Sequence, residues 1–517
     1  MIKVNKYIIS TIFIVSFTFL FHLISLNFHP TNFEGGYGAF ANFFDSNNKI
    51  KYLTAYYNTQ FNTYFFSFLG SILNIIFPFL DGFESVKLLS ASSYIFLGLG
   101  IINILKFHNF INNKNLFLLI IFFNCIIWNY GFRGFNDLFA YSLAIYFFSN
   151  ILITNNSKSI YLNSFLLGIS TIIKSYNLIL LIPIFFHFLS KNKKKIILNL
   201  KMIYIFLLIL IPFIIFHITI YKHLGFLFAP KNEDLQIAII GNDPRRDIFW
   251  VLNNFIFYIG YLMLISFPFS IVFYLNIIKK INFKILSLIT LIIIFCIYFQ
   301  NFLFISSELD LGPLQKYIPN SLYKTIILFG FFSFFILLIS FKNNNKFNKK
   351  KYNEYLVIII TILVYLIILS FIKAAQRYLI LPLPFFLLFL FSVIQPKKII
   401  FITLVMYTFA NFFLLFNYYM TGKSTQQILE YLKKENILEH TNPGVMVPNV
   451  YHMYNNCFLR VNGIEEAKLK CTENINNAIK LVSSKYKITY YKDNVMYSSN
   501  LKIFGINFYK YSVTTNK

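Results

Sequence analysis

The residues of this chain that could carry out chemistry are a few acids and cations placed where long apolar stretches begin or end. Glu34 lies in the motif FEGGYG, directly after the apolar stretch 7–27. Arg133 and Asp137 lie in WNYGFRGFNDLFAY (128–141), where another apolar stretch begins. A carboxylate can accept a proton from a hydroxyl group, and an arginine can hold a phosphate through two parallel hydrogen bonds.

Further cations interrupt later apolar stretches. Lys174 separates two short apolar runs in GISTIIKSYNLILLIP, and Arg377 and Tyr378 lie in KAAQRYLILPLP. Ionisable groups at membrane depth are costly and therefore usually serve a function or have a partner. Two carboxylates and several cations suit group transfer from an anionic, lipid-linked donor. Gly35 and Gly36 would let the loop after Glu34 fold tightly beside a bulky substrate.

Each of these residues also has a plainer explanation. Glu34 could be a solvated acid at the end of a span, and Asp137 could cap a helix N-terminus. Arg133 could form a structural pair with Asp137. Lys174 could extend its side chain to the membrane surface, and Arg377 could anchor to lipid headgroups.

The composition indicates a membrane protein. The chain has 517 residues, of which 57% are hydrophobic and only 13% are charged, whereas soluble domains are about one quarter charged. Apolar runs of about 18 residues or more recur along the chain, each long enough to cross a bilayer. We expect residues 1–27 to be a retained first span, because no small-residue cleavage site follows it.

The net charge of +27 is explained by membrane topology rather than by nucleic-acid binding. Seven lysine-rich connections hold 20 basic residues and one acid, Glu354, and such loops stay in the cytoplasm. They lie at 1–6, 106–114, 155–159, 190–201, 279–284, 342–354 and 396–400. This pattern predicts an all-α polytopic domain over 1–420 with about thirteen spans and a cytoplasmic N-terminus, as in a bacterial inner membrane. Within the first outer loop, 28–85, it predicts a helix at 61–80 that lies along or dips into the outer face.

The last part of the chain, 421–517, is more polar and is predicted to be a small extracytoplasmic α/β domain. TQQILEYLKKEN (425–436) has helical spacing and KYKITYYKD (485–493) has the pattern of a strand. Cys457 and Cys471 fall in this part and could pair in an oxidising compartment. They could equally be two unrelated thiols.

The order of these features resembles the GT-C class of polytopic glycosyltransferases. It is most similar to the branch of protein O-mannosyltransferases and lipid A aminoarabinose transferases, grouped as glycosyltransferase family 39. The resemblance depends on the acid Glu34, the following helix 61–80, the motif Arg133-Gly-Phe-Asn-Asp137, Lys174, the pair Arg377-Tyr378 and the tail domain 421–517. It covers the whole chain as an architecture, but only a few dozen residues as motifs.

The resemblance implies an inverting transfer of a sugar from a polyprenyl-phosphate donor to a glycan, lipid or protein acceptor outside the cytoplasm. It implies Glu34 as general base and Asp137 as the second carboxylate. Arg133, Lys174 and Arg377 would bind the lipid phosphate, and Tyr378 would line the substrate site beside Arg377. Relatives often have an Asp-Glu pair in the first loop, whereas Phe33 precedes Glu34 here. Some relatives bind a divalent cation near these acids, but nothing in this sequence demands a cofactor.

Two other classes of membrane protein have similar hydropathy. A transporter or flippase for lipid-linked glycans should have inverted repeats and ionisable residues near the middle of the membrane. The sequence has no clear repeat, and its charges cluster at the predicted outer surface. An O-antigen polymerase or ligase would use arginines of the outer loops, but these proteins rarely combine the early acid with an Arg-x-x-x-Asp loop and a tail domain. The sequence specifies neither the sugar nor the acceptor.

Overall fold

The computed structural model describes most of the helical part of the chain and part of the tail. The described residues are 6–29, 37–38, 41, 64–108, 114–191, 200–224, 248–267, 291–292, 294–295, 297–298, 319–342, 349–371, 375–393, 397–437, 441–442, 486–490, 495–503 and 506–515. Of the predicted features, Glu34, Cys457, Cys471 and most of the predicted span 285–304 lie outside these residues.

The described chain is mostly helical. The first seven helices are α1 (Lys6–His22), α2 (Tyr64–Ile76), α3 (Gly82–Phe107), α4 (Lys114–Phe122), α5 (Cys125–Phe132), α6 (Asn136–Ile153) and α7 (Ser157–Ile173). The next seven are α8 (Leu181–Lys191), α9 (Leu200–Leu224), α10 (Ile248–Ile265), α11 (Asn320–Lys342), α12 (Lys349–Ser370), α13 (Leu383–Val393) and α14 (Lys397–Lys434). Short 3-10 turns follow α1 at Leu23–Ser25, precede α8 at Ser175–Leu180 and precede α13 at Gln376–Ile380.

Within the described residues, seven helices are long and apolar enough to cross a membrane, and the bent pair α4 and α5 would bring the number to eight. These seven spans lie in α3, α6, α9, α10, α11, α12 and α14. The helices α4 and α5 meet at an angle of 61°. The protein is therefore a helical membrane protein, and the total of thirteen spans stays a prediction.

The predicted helix at 61–80 is present as α2 but is shorter. Its 13 residues span about 20 Å at 1.5 Å per residue, which is less than a hydrocarbon core of about 30 Å. The helix buries Phe66 and packs against α3. The helix α3 then begins with a capping box, in which the side chains of Asp81 and Glu84 each accept a hydrogen bond from the other residue's backbone N–H.

The predicted boundary at residue 420 falls inside one helix. The helix α14 continues for 38 residues without a break, because no proline interrupts it and its last turns keep an apolar face. Ile428, Leu429 and Leu432 on that face pack against Ile488 and Val513 of the tail. The tail is thus attached to the helical domain through a continuous helix rather than through a linker.

The described part of the tail is a small sheet. Its strands are β1 (Thr441–Asn442), β2 (Tyr486–Tyr490), β3 (Tyr497–Ile503) and β4 (Ile506–Thr515), in the order β1-β2-β4-β3. β2 and β3 each pair antiparallel with β4, whereas β1 pairs parallel with β2. The predicted strand at 485–493 is present as β2.

Candidate functional site

Asp137 lies in the first turn of α6, directly after the connection from α5. The helix α5 ends at Phe132 and α6 begins at Asn136, so the connection is short. A side chain at Gly134 would come within 2.7 Å of Val86, which shows how closely this connection packs on α3. The cap of α6 is Phe135 and not Asp137. The carboxylate is only 1% exposed, and the helix dipole favours an acid at this end.

Lys174 reaches the same carboxylate from the end of α7. Its extended backbone (φ −144°) ends the helix and begins the turn Ser175–Leu180. The Nζ atom of Lys174 lies 2.8 Å from Oδ1 of Asp137. The amide of Asn177 donates hydrogen bonds to the carbonyl oxygens of Ala140 (3.2 Å) and Ser170 (3.0 Å), and so ties this turn to both α6 and α7.

Arg377 and Tyr378 complete the group from the turn Gln376–Ile380. The Nε atom of Arg377 lies 3.9 Å from Oδ2 of Asp137. The ring centroid of Tyr378 lies 5.4 Å from Nζ of Lys174 and 5.4 Å from Cζ of Arg377. Tyr176 packs edge-on against Tyr378 with a centroid distance of 5.0 Å. The structure therefore brings together four of the five described residues that the sequence predicted.

Arg133 is the fifth and points elsewhere. Its guanidinium carbon lies 5.0 Å from the ring centroid of Phe135 and 5.8 Å from that of Tyr418. Among the described residues, the cations within 4 Å of the Asp137 carboxylate are those of Lys174 and Arg377. The alternative of a structural pair between Arg133 and Asp137 is therefore wrong.

Two residues of this region were missed from the sequence. Lys87 is buried near the start of α3, and its ammonium group lies 5.9 Å from the Tyr418 ring centroid. The Lys87 Nζ donates to the carbonyl oxygens that follow α1: those of Ser25 (3.0 Å), Leu26 (3.4 Å) and Phe28. Lys87 could have been found from the sequence, because it is a lysine within an apolar stretch. Tyr418 had no such signal, because it is one of 36 tyrosines.

Glu34 lies outside the described residues, but Tyr37, three residues later in the chain, is described. Tyr37 is buried and packs edge-on against Phe66 of α2, with a centroid distance of 5.5 Å. Its ring centroid also lies 6.2 Å from that of Phe135, at the connection before Asp137. Tyr37 is also close enough to Arg377 for the two side chains to interact electrostatically. The connection between α1 and α2 therefore contacts the site at Tyr37.

The electrostatics of this group favour an anion. One carboxylate, that of Asp137, faces the two cations of Lys174 and Arg377, and Arg133 and Lys87 lie at the same end of the helices. Coulomb attraction is about 4 kcal/mol for unit charges 4 Å apart at an effective dielectric constant of 20. The side chains of Asp137 and Lys174 are shielded from water, with 1% and 12% exposure, so an anion that enters the group would gain more there than at a solvated surface.

Comparisons with known proteins give no family for this chain: no family model, no curated protein and no solved structure matches it. Within the described residues, no three or more His, Cys, Asp or Glu side chains come together in a way that could hold a metal ion. Any function must therefore be argued from the group around Asp137.

Proposed function

We propose that this protein is a membrane glycosyltransferase that moves a sugar from a polyprenyl-phosphate donor to an acceptor hydroxyl on the outer face of the membrane. The observation that carries this proposal is the convergence of Lys174 and Arg377 on the buried carboxylate of Asp137. Two cations held at a helix end, beside an aromatic ring, suit the phosphate of a lipid lying in the adjacent leaflet.

The position of this group along the helices supports an enzyme over a transporter. Asp137, Lys174 and Arg377 lie at helix ends, whereas transporter sites lie near the middle of the membrane, at broken helices. The opposite end of the bundle has the lysine-rich connections, which the positive-inside rule assigns to the cytoplasm. On this orientation, the Asp137 end and the tail sheet face outward.

The contacts of Asp137 indicate that Asp137 and Glu34 have different roles. Asp137 is already engaged by Lys174, so its role is to hold the two cations in place rather than to accept a proton. Glu34 is then the general base. The acceptor oxygen attacks the anomeric carbon and gives its proton to Glu34, while the bond from that carbon to the phosphate oxygen breaks. The phosphate leaves with the electron pair, and Lys174 and Arg377 stabilise its charge.

The test is sugar transfer in membranes that contain the full chain. Membranes are supplied with polyprenyl-phosphate donors that carry different radiolabelled sugars, and transfer to endogenous acceptors is measured. We expect Glu34→Gln to reduce transfer by about 10²–10⁴-fold, the usual contribution of a general base. The matched control is Glu430→Gln, at an exposed glutamate that accepts a hydrogen bond from Gln426 on α14. Equal transfer by Glu34→Gln and the wild type would contradict the proposal.

A further inference from the structure

The turn that carries Arg377 is held by hydroxyl groups of buried tyrosines on neighbouring helices. The Oη atom of Tyr258 accepts a hydrogen bond from the backbone N–H of Ala375 at 3.1 Å. The hydroxyl of Tyr365 donates to the carbonyl oxygen of Tyr378 at 2.8 Å. These two contacts hold the backbone two residues before Arg377 and one residue after it.

A third hydroxyl holds a side chain of the same turn. Tyr261 donates to Oε1 of Gln376 at 2.6 Å. Tyr258 and Tyr261 are three residues apart on α10 and therefore lie on the same face of that helix. Tyr258, Tyr261 and Tyr365 are each no more than 2% exposed, so water does not compete for these hydrogen bonds.

The hydroxyl of Tyr365 also connects the turn to α6, the helix that carries Asp137. The Oη atoms of Tyr365 and Tyr141 lie 3.4 Å apart. Tyr141 is four residues after Asp137, one turn further along the same face of α6. The chain of contacts thus runs from α6 through Tyr141 and Tyr365 to the carbonyl of Tyr378. It spans the two elements whose separation sets the distance between Asp137 and Arg377.

The turn Gln376–Ile380 is only weakly stabilised by its own hydrogen bonds. Its 3-10 geometry gives poorer hydrogen bonds than an α-helix, and the N–H of Tyr378 reaches the carbonyl oxygen of Ala375 at 3.2 Å. The position of Arg377 must therefore depend on contacts from outside the turn.

We propose that Tyr258, Tyr261 and Tyr365 are positioning residues, whose hydroxyls fix the turn so that the Arg377 guanidinium is aimed at the phosphate of the donor. The phosphate as ligand rests on the proposed function. The placement of the guanidinium beside Asp137 does not.

The experiment replaces single tyrosines by phenylalanine in the full chain, purified in lipid nanodiscs. Binding of undecaprenyl phosphate is measured by titration. We expect Tyr365→Phe to raise the dissociation constant about tenfold, because one lost hydrogen bond lets the turn move. Tyr258→Phe and Tyr261→Phe should give smaller increases in the same direction. Arg377→Ala removes the guanidinium altogether and therefore gives the largest increase in the dissociation constant that a displaced turn could produce.

The matched control is Tyr407→Phe. The Tyr407 hydroxyl is also buried and donates to a backbone carbonyl, that of Ile265 at 2.7 Å, but it does not touch the turn. We expect this variant to lose a similar amount of thermal stability and to change the dissociation constant less than twofold. A general loss of stability would therefore not imitate a positioning effect.

A second measurement separates this inference from the proposed function. Phenylglyoxal modifies guanidinium groups, and the rate at which Arg377 is modified can be followed by mass spectrometry of peptides without any lipid. We expect Tyr365→Phe to raise this rate several-fold above those of the wild type and Tyr407→Phe. If the wild type does not bind undecaprenyl phosphate but the rates differ in this way, the proposed function fails and the positioning role stands. Equal rates in all three proteins would overturn the positioning role.

Discussion

Each end of the helical bundle contains a contact between an acidic and a basic side chain from distant parts of the chain: an ion pair at one end and a hydrogen bond between a histidine and a carboxylate at the other. The two contacts differ in their surroundings. At one end, Asp137 pairs with Lys174, and the two side chains are 1% and 12% exposed. At the other end, Nδ1 of His108 lies 3.2 Å from Oε2 of Glu354, with the side chains 7% and 26% exposed. The first pair has a second cation, Arg377, beside it. The second pair lies at the end with the lysine-rich connections.

The difference shows which pair the fold depends on. Breaking a buried ion pair by removing one partner costs about 3–5 kcal/mol, because the other charge is left without compensation. A solvent-exposed pair contributes only about 0–1 kcal/mol. We therefore expect stability to depend strongly on the pair Asp137–Lys174 and much less on the more exposed pair His108–Glu354.

The largest effect should come from Asp137→Asn. It leaves the cations of Lys174 and Arg377 buried without their carboxylate, so we expect the free energy of unfolding to fall by about 3–5 kcal/mol. Sugar transfer should fall with it, because the two cations repel each other and move apart. Denaturant titration in detergent measures the first effect. A loss below about 1 kcal/mol would mean that the pair at Asp137 contributes no more to stability than the pair at Glu354.

The next effect should come from Lys174→Met, which removes the closer cation but keeps a long apolar side chain. We expect binding of undecaprenyl phosphate to weaken by about 10–100-fold, the value of one or two charge-assisted hydrogen bonds. Lys158→Met is the matched control, because Lys158 is exposed at the opposite end of the same helix. Equal weakening in both variants would show that general positive charge, and not this site, binds the lipid.

A smaller effect should come from Lys87→Met. The ammonium group of Lys87 donates to three carbonyl oxygens after α1, and unsatisfied buried acceptors cost about 1–3 kcal/mol. Because Lys87 holds the chain where the connection from α1 to α2 begins, we expect a loss of stability of this size with a moderate loss of transfer. Unchanged stability together with lost lipid binding would instead make Lys87 a ligand of the phosphate.

Three of the ionisable residues singled out in the sequence lie together in the structure. Asp137, Lys174 and Arg377 stand out because a charge in an apolar chain needs a partner, and they are partners of one another. Arg133 was included because it begins the motif Arg133-Gly-Phe-Asn-Asp137, which resembles the Arg-x-x-x-Asp loop of the family. In the structure its guanidinium lies beside the rings of Phe135 and Tyr418 instead, a contact that sequence spacing does not specify.

The tyrosines that hold the turn could not be predicted. Tyr258 and Tyr261 each contact it through one hydroxyl from more than a hundred residues away in the chain, and Tyr365 does so from 13 residues before Tyr378. No local pattern separates these three from the other tyrosines of the chain. The end of the membrane domain was placed at residue 420 because hydropathy falls there. Hydropathy reports the surroundings of a helix and not its continuity, so the passage of α14 into the tail was missed.

The smallest effect should come from Glu354→Gln, at the opposite end. The Glu354 side chain is 26% exposed, against 1% for Asp137, so water partly solvates its carboxylate, and we expect a loss of about 1 kcal/mol, smaller than that of Asp137→Asn. Lipid binding and sugar transfer should stay at the level of the wild type, because α3 and α12 remain packed through their apolar residues. The same denaturant titration and transfer assay as for Asp137→Asn give a direct comparison. A loss as large as that of Asp137→Asn would show that neither burial nor the second cation distinguishes the two ends.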